Sequence, residues 1–384
     1  MDGFDWHKCR FLESGENLKP LVKRRFGREP STSHAREIAA CLQQGRLFYE
    51  AAASSPLEIR PLQMFYGMVG FSKALAMAQR AVSLSALRRS HGLVDISQDN
   101  SRIAELRLRI GTGGTFQDFN DVVADLTRVC YIDGSTRPRA IYLPSAKSDQ
   151  LCGIELSLRE ILGHIPYLES LYQLTFGEEA QTGFVFFEAD IQDDKAFWVR
   201  IDDCEPFSDL ESLKRIVTRW RARFPFLTAW RLNDAEHAWG KSIIRFRNIC
   251  NADVEEFSEK YFDAQDRTFE ASAQAGMEGE SFAPEEGLSG VASRYPKGGD
   301  YAFSPVRGCF LSEFSFQYLA LFLLSSLVRY RPHTWIHAIS RSVMPEAPAD
   351  DQALSLIERF LDLNSGAIPA MVVVVLNPSE DQFA

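Results

Sequence analysis

A mostly helical α+β protein is predicted, with a helical bundle built by the N- and C-terminal segments and an α+β segment inserted between them. Three observations predict it: long stretches with apolar residues at helical spacing near both ends of the chain, short alternating stretches confined to the middle, and a composition at the globular average. With 384 residues, 45% hydrophobic, 24% charged and only 24 Gly and 17 Pro, the chain has ample length to bury a core. It does not read as disordered, collagenous or a repeat array. Residues 1–95 are assigned to the N-terminal part of the bundle and 96–263 to the inserted α+β domain. Residues 264–300 are assigned to a loop or linker and 301–384 to the C-terminal part of the bundle.

The first strong helical pattern starts at His34, where Ile38, Cys41, Leu42, Leu47 and Phe48 fall at helical spacing among alanines; Ser54-Ser55-Pro56 ends it. A second long helix opens at Pro61, a residue favoured in a first helical turn, and is predicted to run to a stop at Gly92. Its Gly67, Gly70, Ala74 and Ala78 hold no neighbour off, so another backbone can approach closely and the helix should be central.

The pattern changes after Leu93. Ala104–Ile110 alternates apolar and charged residues as a half-buried strand does, and Gly111-Thr112-Gly113-Gly114-Thr115 leads into a helix over Phe116–Leu126. Another helix is expected over residues 156–176. Gly183–Ile191 and Lys195–Asp202 read as a hairpin joined by Gln192-Asp193-Asp194. Asp209–Phe224 reads as an amphipathic helix with Leu210, Leu213, Ile216, Val217 and Trp220 on one side, and Ile243–Phe246 as a further strand. Residues 264–300 are polar, acidic and glycine-containing, the composition of a loop.

In the C-terminal segment, Leu311–Val328 is apolar all round, the mark of a helix buried inside a bundle; Pro332 breaks it. The greasy run Phe314–Val328 contains Ser315, Gln317, Ser325 and Ser326 and is too short and too polar to span a bilayer, so no membrane partner is expected. Asp350–Leu363 reads as a helix capped by Asp350 or Asp351. Ile368–Leu376, with its valine run, stays open between a buried strand and a buried helix.

The net charge of −10 opposes a simple nucleic-acid coat, but residues 1–92 carry 14 Lys/Arg against 8 Asp/Glu, while 93–300 carry 23 against 36. The densest basic cluster, Lys19, Lys23, Arg24, Arg25 and Arg28, could attract phosphates, but a solvated surface with folded-state acidic neighbours from the middle segment is the preferred reading. Seven scattered cysteines with no CxxC pair, and no secretory leader ahead of them, point to a reduced, cytoplasmic compartment.

Several segments together resemble the YaaC-like family of bacterial proteins. The residues that carry the resemblance are Trp6, the Ala51-rich helix end, Pro61-Leu62, Phe65-Tyr66-Gly67-Met68, Lys73-Ala74 and His91-Gly92-Leu93. At the other end, Ser325-Ser326-Leu327-Val328-Arg329-Tyr330-Arg331-Pro332 with Trp335 is similar to the family's C-terminal signature. The likeness spreads over much of the chain, least in the middle. What it implies is kinship without an assigned activity.

Arg331, separated by five residues from His337, also resembles the arginine and histidine motif of HEPN-type ribonucleases, which are small helical bundles that often work as metal-free dimers. The resemblance implies His337 as an acid/base moving the proton of a ribose 2′-hydroxyl and Arg331 as the clamp on the attacked phosphate. This sequence departs from that motif at Pro332, where a polar residue is usual, and a six-residue step rotates a straight helix by roughly 600°, which separates the two side chains. The alternative is that both residues serve helix-end capping and salt bridges.

Four further arrangements were weighed. Arg88, Arg89 and His91, with Lys73 and Tyr66, could line a phosphate pocket in the bundle, or Arg88-Arg89-Ser90-His91-Gly92 could simply finish the second helix. Gly111–Thr115 could offer amides to a phosphate, though it lacks the Lys-Ser/Thr of a P-loop and reads more naturally as a strand-to-helix turn. His333 and His337 share a helix face, but no glutamate follows the first and no further ligand is near, so no metal is expected. Asp193-Asp194-Lys195 with Glu188 and Asp190 has the residue types of a metal nuclease, at positions where turn chemistry accounts for them. The functional expectation is therefore HEPN-like, metal- and cofactor-independent action on RNA or a nucleotide, in a self-associating protein, with a role in bacterial defence by analogy. The other class kept open is a non-catalytic partner-binding or scaffold protein.

Overall fold

The computed structural model describes residues 6–99, 101–124, 128–132, 138–142, 146–189, 197–203, 205–238, 241–248, 300–340 and 351–377. The chain is α+β with helix outweighing strand, and it divides into two compact units. The first takes its residues from Met1–Ala124, Ala146–Ala180 and Leu311–Ala384, the second from Asp125–Ser145 and Gln181–Phe310. Residues 96–124 and 146–180, placed by sequence in the insertion, thus cluster with the terminal helices.

With helices and strands numbered along the chain, the first unit begins with α1 (Trp6–Leu12), α2 (Gly15–Phe26), α3 (Thr32–Ala53) and α4 (Arg60–Arg80). Ser14 and Ser31 cap α2 and α3 by accepting from the amides of Asn17 and His34. The short strands β1 (Leu93–Asp95), β2 (Arg107–Ile110) and β5 (Glu155–Ser157) form an antiparallel sheet in that order. Between and after them come α5 (Thr115–Val123), α6 (Ser148–Leu151), α7 (Leu158–Gly163) and α8 (Glu169–Phe176). The unit closes with α10 (Glu313–Tyr330), α11 (Pro332–Ser340) and α12 (Leu354–Leu376).

Helix α4 is the axis of this unit, packing on α2, α3, α5, α10 and α12. Its glycines allow this: a Cβ on Gly70 would sit 3.0 Å from the amide nitrogen of Gly45 and 3.1 Å from the carbonyl oxygen of Cys41, and one on Gly45 would strike the Phe71 ring. The α3 and α4 backbones therefore touch directly, as the small residues predict. Helix α10 is buried on every side from Ser315 to Leu327. Several of its polar groups are paired: Tyr49 donates its hydroxyl to Asn364 (2.7 Å), whose amide donates to Gln317 (3.0 Å), and Ser315 donates to Asn120 (2.9 Å), while the buried Tyr318 hydroxyl has no hydrogen-bond partner among the described residues.

Several boundaries differ from expectation. The second long helix stops at Arg80, not Gly92, because Ala81 takes up the left-handed conformation (φ 54°) and the next turn is capped from a distance, Leu84 donating its amide to Glu37 (3.0 Å). Arg88, Arg89 and His91 thus do not end a helix. The helix expected over 156–176 is two helices, α7 and α8, parted where Pro166 removes a donor and Tyr167 adopts φ 67°. The valine run is helical and continuous with the preceding helix: Ile357, Phe360, Leu361, Asn364, Ile368, Met371, Val372 and Val375 form a buried face, and that packing overrides β propensity. Ala353 is its cap, without a side-chain bond; Asp350 lies outside the described residues. Helix α2 went unread because its residues are so charged. Two of its lysines pair within the N-terminal segment, Lys19 with Glu16 and Lys23 with Glu29, rather than with the acidic middle.

The second unit holds a five-stranded antiparallel sheet in the order β10 (Asp300–Phe303), β6 (Thr182–Ala189), β7 (Phe197–Asp203), β9 (Lys241–Asn248), β8 (Trp230–Ala238). A separate pair joins β3 (Arg128–Ile132) to β4 (Pro138–Tyr142). The expected hairpin is the β6–β7 pair. Helix α9 (Leu210–Arg223), capped by Asp209, is one with the predicted amphipathic helix, and its Leu213, Ile216, Val217 and Trp220 bury against Val199, Ile201, Leu232, Ile244 and Phe246. Asp190, Asp193, Asp194 and Lys195, and all of 264–300 except Asp300, lie outside the described residues.

Among the described residues one helix, α12, is long and apolar enough to cross a membrane, and 56% of that apolar window is buried within the protein.

Candidate functional site

The five residues predicted for a phosphate site come from α4 (Tyr66, Lys73) and the stretch that leads to β1 (Arg88, Arg89, His91). That stretch is fixed by its own backbone. The carbonyl of Ser90 accepts from the Thr115 amide (3.0 Å), that of His91 from Phe116 (3.1 Å) and that of Gly92 from Gly111 (2.9 Å). Gly92 needs its positive φ of 74°, and a Cβ on Gly114 would lie 2.3 Å from the Gly92 nitrogen. Two of the first amides of α5 are thereby occupied by chain rather than open to an anion. The Gly111–Thr115 loop is a strand-to-helix turn.

His91 sits edge-on to Phe65 of α4 (5.1 Å between centroids) and to Phe322 of α10 (6.3 Å). Its Nδ1 is buried without a hydrogen-bond partner. Burial first, and then the positive charges of Arg329 and Lys73, push its pKa below the ordinary value of 6.5, so the ring is neutral at pH 7. Lys73 is half-buried on α4, and among the described residues neither it nor Arg329 has a carboxylate partner. The Arg329 guanidinium rests 5.9 Å from the Phe65 ring and 4.9 Å from that of Tyr330, with Nε donating to the carbonyl of Ser325 (3.2 Å). His91 and Arg329 thus share the Phe65 ring, and the charges of Arg329 and Lys73 both act on the neutral imidazole.

The other predicted residues stand around or apart from it. Tyr66, 38% exposed, lies against Phe48 (5.7 Å) and its neighbour Phe65 (6.2 Å). Arg88 is exposed with its guanidinium laid against Gly113, where a Cβ would collide with it; Arg89 is exposed. Arg331 is engaged elsewhere: Nη1 donates to Asp95 of β1 (2.7 Å) and Nη2 to the carbonyl of Ser97 (3.1 Å). Burial disfavours the Asp95 carboxylate, but hydrogen bonds from Ser326 and Ser97, together with the Arg331 guanidinium, outweigh it and hold the carboxyl below its usual range. His337 is exposed on α11 along with His333 and Ile336, while Trp335 and Ala338 are buried. Helix α11 is anchored through Trp335 Nε1, which donates to the carbonyl of Glu58 (3.1 Å). The structure therefore brings Lys73 and His91 together and joins Arg331 to Asp95 rather than to His337.

Arg329, Asp95 and Ser326 were not singled out from sequence. Arg329 and Ser326 lie within the C-terminal signature, and the only cue to Arg329 is its place four residues after Ser325 at a helix end. Among the described residues no three His, Cys, Asp or Glu side chains converge as metal ligands.

The chain belongs to the YaaC-like protein family, whose model matches residues 10–376. No curated protein and no solved structure matches it.

Proposed function

We propose that this protein acts on RNA or a nucleotide, and that it holds a phosphate of that ligand at Lys73, His91 and Arg329. One observation carries the reading: Arg329 shares the Phe65 ring with His91, the charge of Lys73 also acts on that imidazole, and among the described residues neither cation has a carboxylate partner, whereas Arg46, Arg80 and Arg331 in the same unit each face one. An anion there gains charge-assisted hydrogen bonds that the protein itself leaves unmade. It also offsets the cationic repulsion that, after burial, disfavours the protonated form of His91. Arg88 and Arg89, both exposed, add positive charge along the stretch leading to His91.

Metal-independent phosphodiester cleavage is the chemistry to which this binding extends. The HEPN-like version of it assigns Arg331 as clamp and His337 as acid/base; the Arg331–Asp95 pair weighs against it, because the clamp must leave a half-buried carboxylate behind. Incubating total RNA with the protein in EDTA tests the cleavage, and anisotropy of a labelled 12-nucleotide RNA tests the binding. Lys73→Ala and Arg329→Ala are each expected to weaken the complex about tenfold. Unchanged affinity in both variants overturns the site.

The alternative, a non-catalytic partner-binding protein, draws on the outer face of α3. Ala40, Leu47 and Ala51 are exposed there beside Phe48, lining a shallow depression of about 400 Å³. Absence of RNA and nucleotide binding, with a protein recovered on that face, favours it.

A further inference from the structure

Arg329 is flanked by a side chain that neither the fold nor the phosphate site explains. Tyr330, the last residue of α10, is 70% exposed, with the Arg329 guanidinium 4.9 Å over its ring. A large aromatic ring left that open loses the burial that usually justifies it. Two more apolar side chains are exposed on the elements next to this helix end: Val94 (52%), adjacent in sequence to the Asp95 that Arg331 grips, and Ile336 (54%) on α11. The same pairing of Arg331 with Asp95 and Ser97 fixes the backbone just after Tyr330, so the ring stands on a rigid support.

We infer that Tyr330, with Arg329 beside it, is a stacking platform for an unpaired base, so that the ligand of this site is a single-stranded nucleic acid. This rests on the phosphate reading above and deepens it. A base presents a flat π face to Tyr330, and Arg329 is shared between that face and the backbone phosphate next to it. Stacking is indifferent to sequence, since every base has such a face. A duplex is refused because its bases are already stacked on each other.

The test uses the full chain and fluorescence anisotropy with four probes: a labelled ten-nucleotide RNA strand of mixed sequence, the same strand with every base removed, its blunt duplex, and a DNA strand of the same sequence. Inorganic pyrophosphate serves as competitor. The single strand is expected to bind about tenfold more tightly than the abasic strand and the duplex. Tyr330→Ala should lose that tenfold advantage without changing abasic binding, and Tyr330→Phe should restore it. Because Tyr330 is exposed, the variants are expected to fold, which circular dichroism checks. Tight binding of RNA alone, or of RNA and DNA alike, supports the inference and tells the two sources apart. Equal affinity for normal and abasic strands, displaced by pyrophosphate, overturns the platform while leaving the phosphate site standing. If no probe binds, both fail.

Discussion

Two arginines at the end of α10, two residues apart, have opposite surroundings. Arg331 is 14% exposed and clasped by Asp95 and Ser97, whereas Arg329 lies across aromatic rings with no carboxylate among the described residues. Three arginines of the second unit follow the Arg331 pattern, Arg219 binding Asp203 and Glu205, Arg215 binding Glu205 and Arg245 binding Asp234, while Arg221 and Arg223 donate to backbone carbonyls and lie over aromatic rings. What separates a structural cation from one available to a ligand is therefore its partner, not its type or its place in a helix. A paired cation holds two elements together. One without a carboxylate among the described residues, beside a histidine and over Phe65, keeps a local positive potential, which in the proposed function a ligand phosphate neutralises.

The largest effect should come from cutting the paired side. Arg331→Ala leaves the Asp95 carboxylate half-buried and under-compensated, and should cost about 3 kcal/mol, read as a lower melting temperature. Asp95→Asn in that background should recover part of the loss; if Arg329→Ala destabilises as much as Arg331→Ala, the contrast collapses. Next is the affinity effect. Removing Lys73 or Arg329 should weaken RNA binding about tenfold and make the plot of log affinity against log salt shallower by about 0.7 per cation. The same two substitutions should change stability by no more than about 0.5 kcal/mol, since neither breaks an ion pair.

The smallest effects are those of pH. The folded pKa of His91 lies below its ordinary 6.5, so the unfolded chain binds the proton more readily. Stability from this group is complete above that value and declines as pH falls from it toward the folded pKa. Ligand phosphate reverses the bias: RNA should bind more tightly as pH drops from 7 to 6, and His91→Asn should flatten that trend. Asp95, with its pKa depressed, contributes stability above its ordinary 3.8 that is lost as pH falls through its folded value. Thermal melts between pH 2 and 5 on wild type and Asp95→Asn read that term directly.

Much of the fold was legible because it depends on local pattern. The all-round apolar run of α10, the stripe of Leu213, Ile216, Val217 and Trp220 on α9, and the glycines of α4 each state their environment in their own spacing. The overlong second helix and the open choice at the valine run share a different cause. The residues after Arg80 still look helical, and what ends the helix is the turn that Glu37, 47 positions away, caps through Leu84. The valines of α12 favour strand until a bundle buries one face of them. For the site, Lys73, His91 and Tyr66 were visible as residue types that carry chemistry, whereas the roles of Arg329 and Arg331 depend on whether a carboxylate comes near. Asp95 is 236 positions from Arg331, and no local pattern reports such a pairing.

The first unit is assembled from three stretches of chain, and this orders events during synthesis. Phe65 and His91 leave the ribosome long before Phe322 and Arg329, a delay on the order of tens of seconds at ordinary elongation rates. Through that interval α4 has its α3 partner but lacks α10 and α12, and its apolar surface stands open to water. The α3–α4 pair is therefore the part of the nascent chain most exposed to misassociation in that interval. A ribosome stalled before residue 311 should yield a protease-sensitive N-terminal segment, however well the middle of the chain has folded.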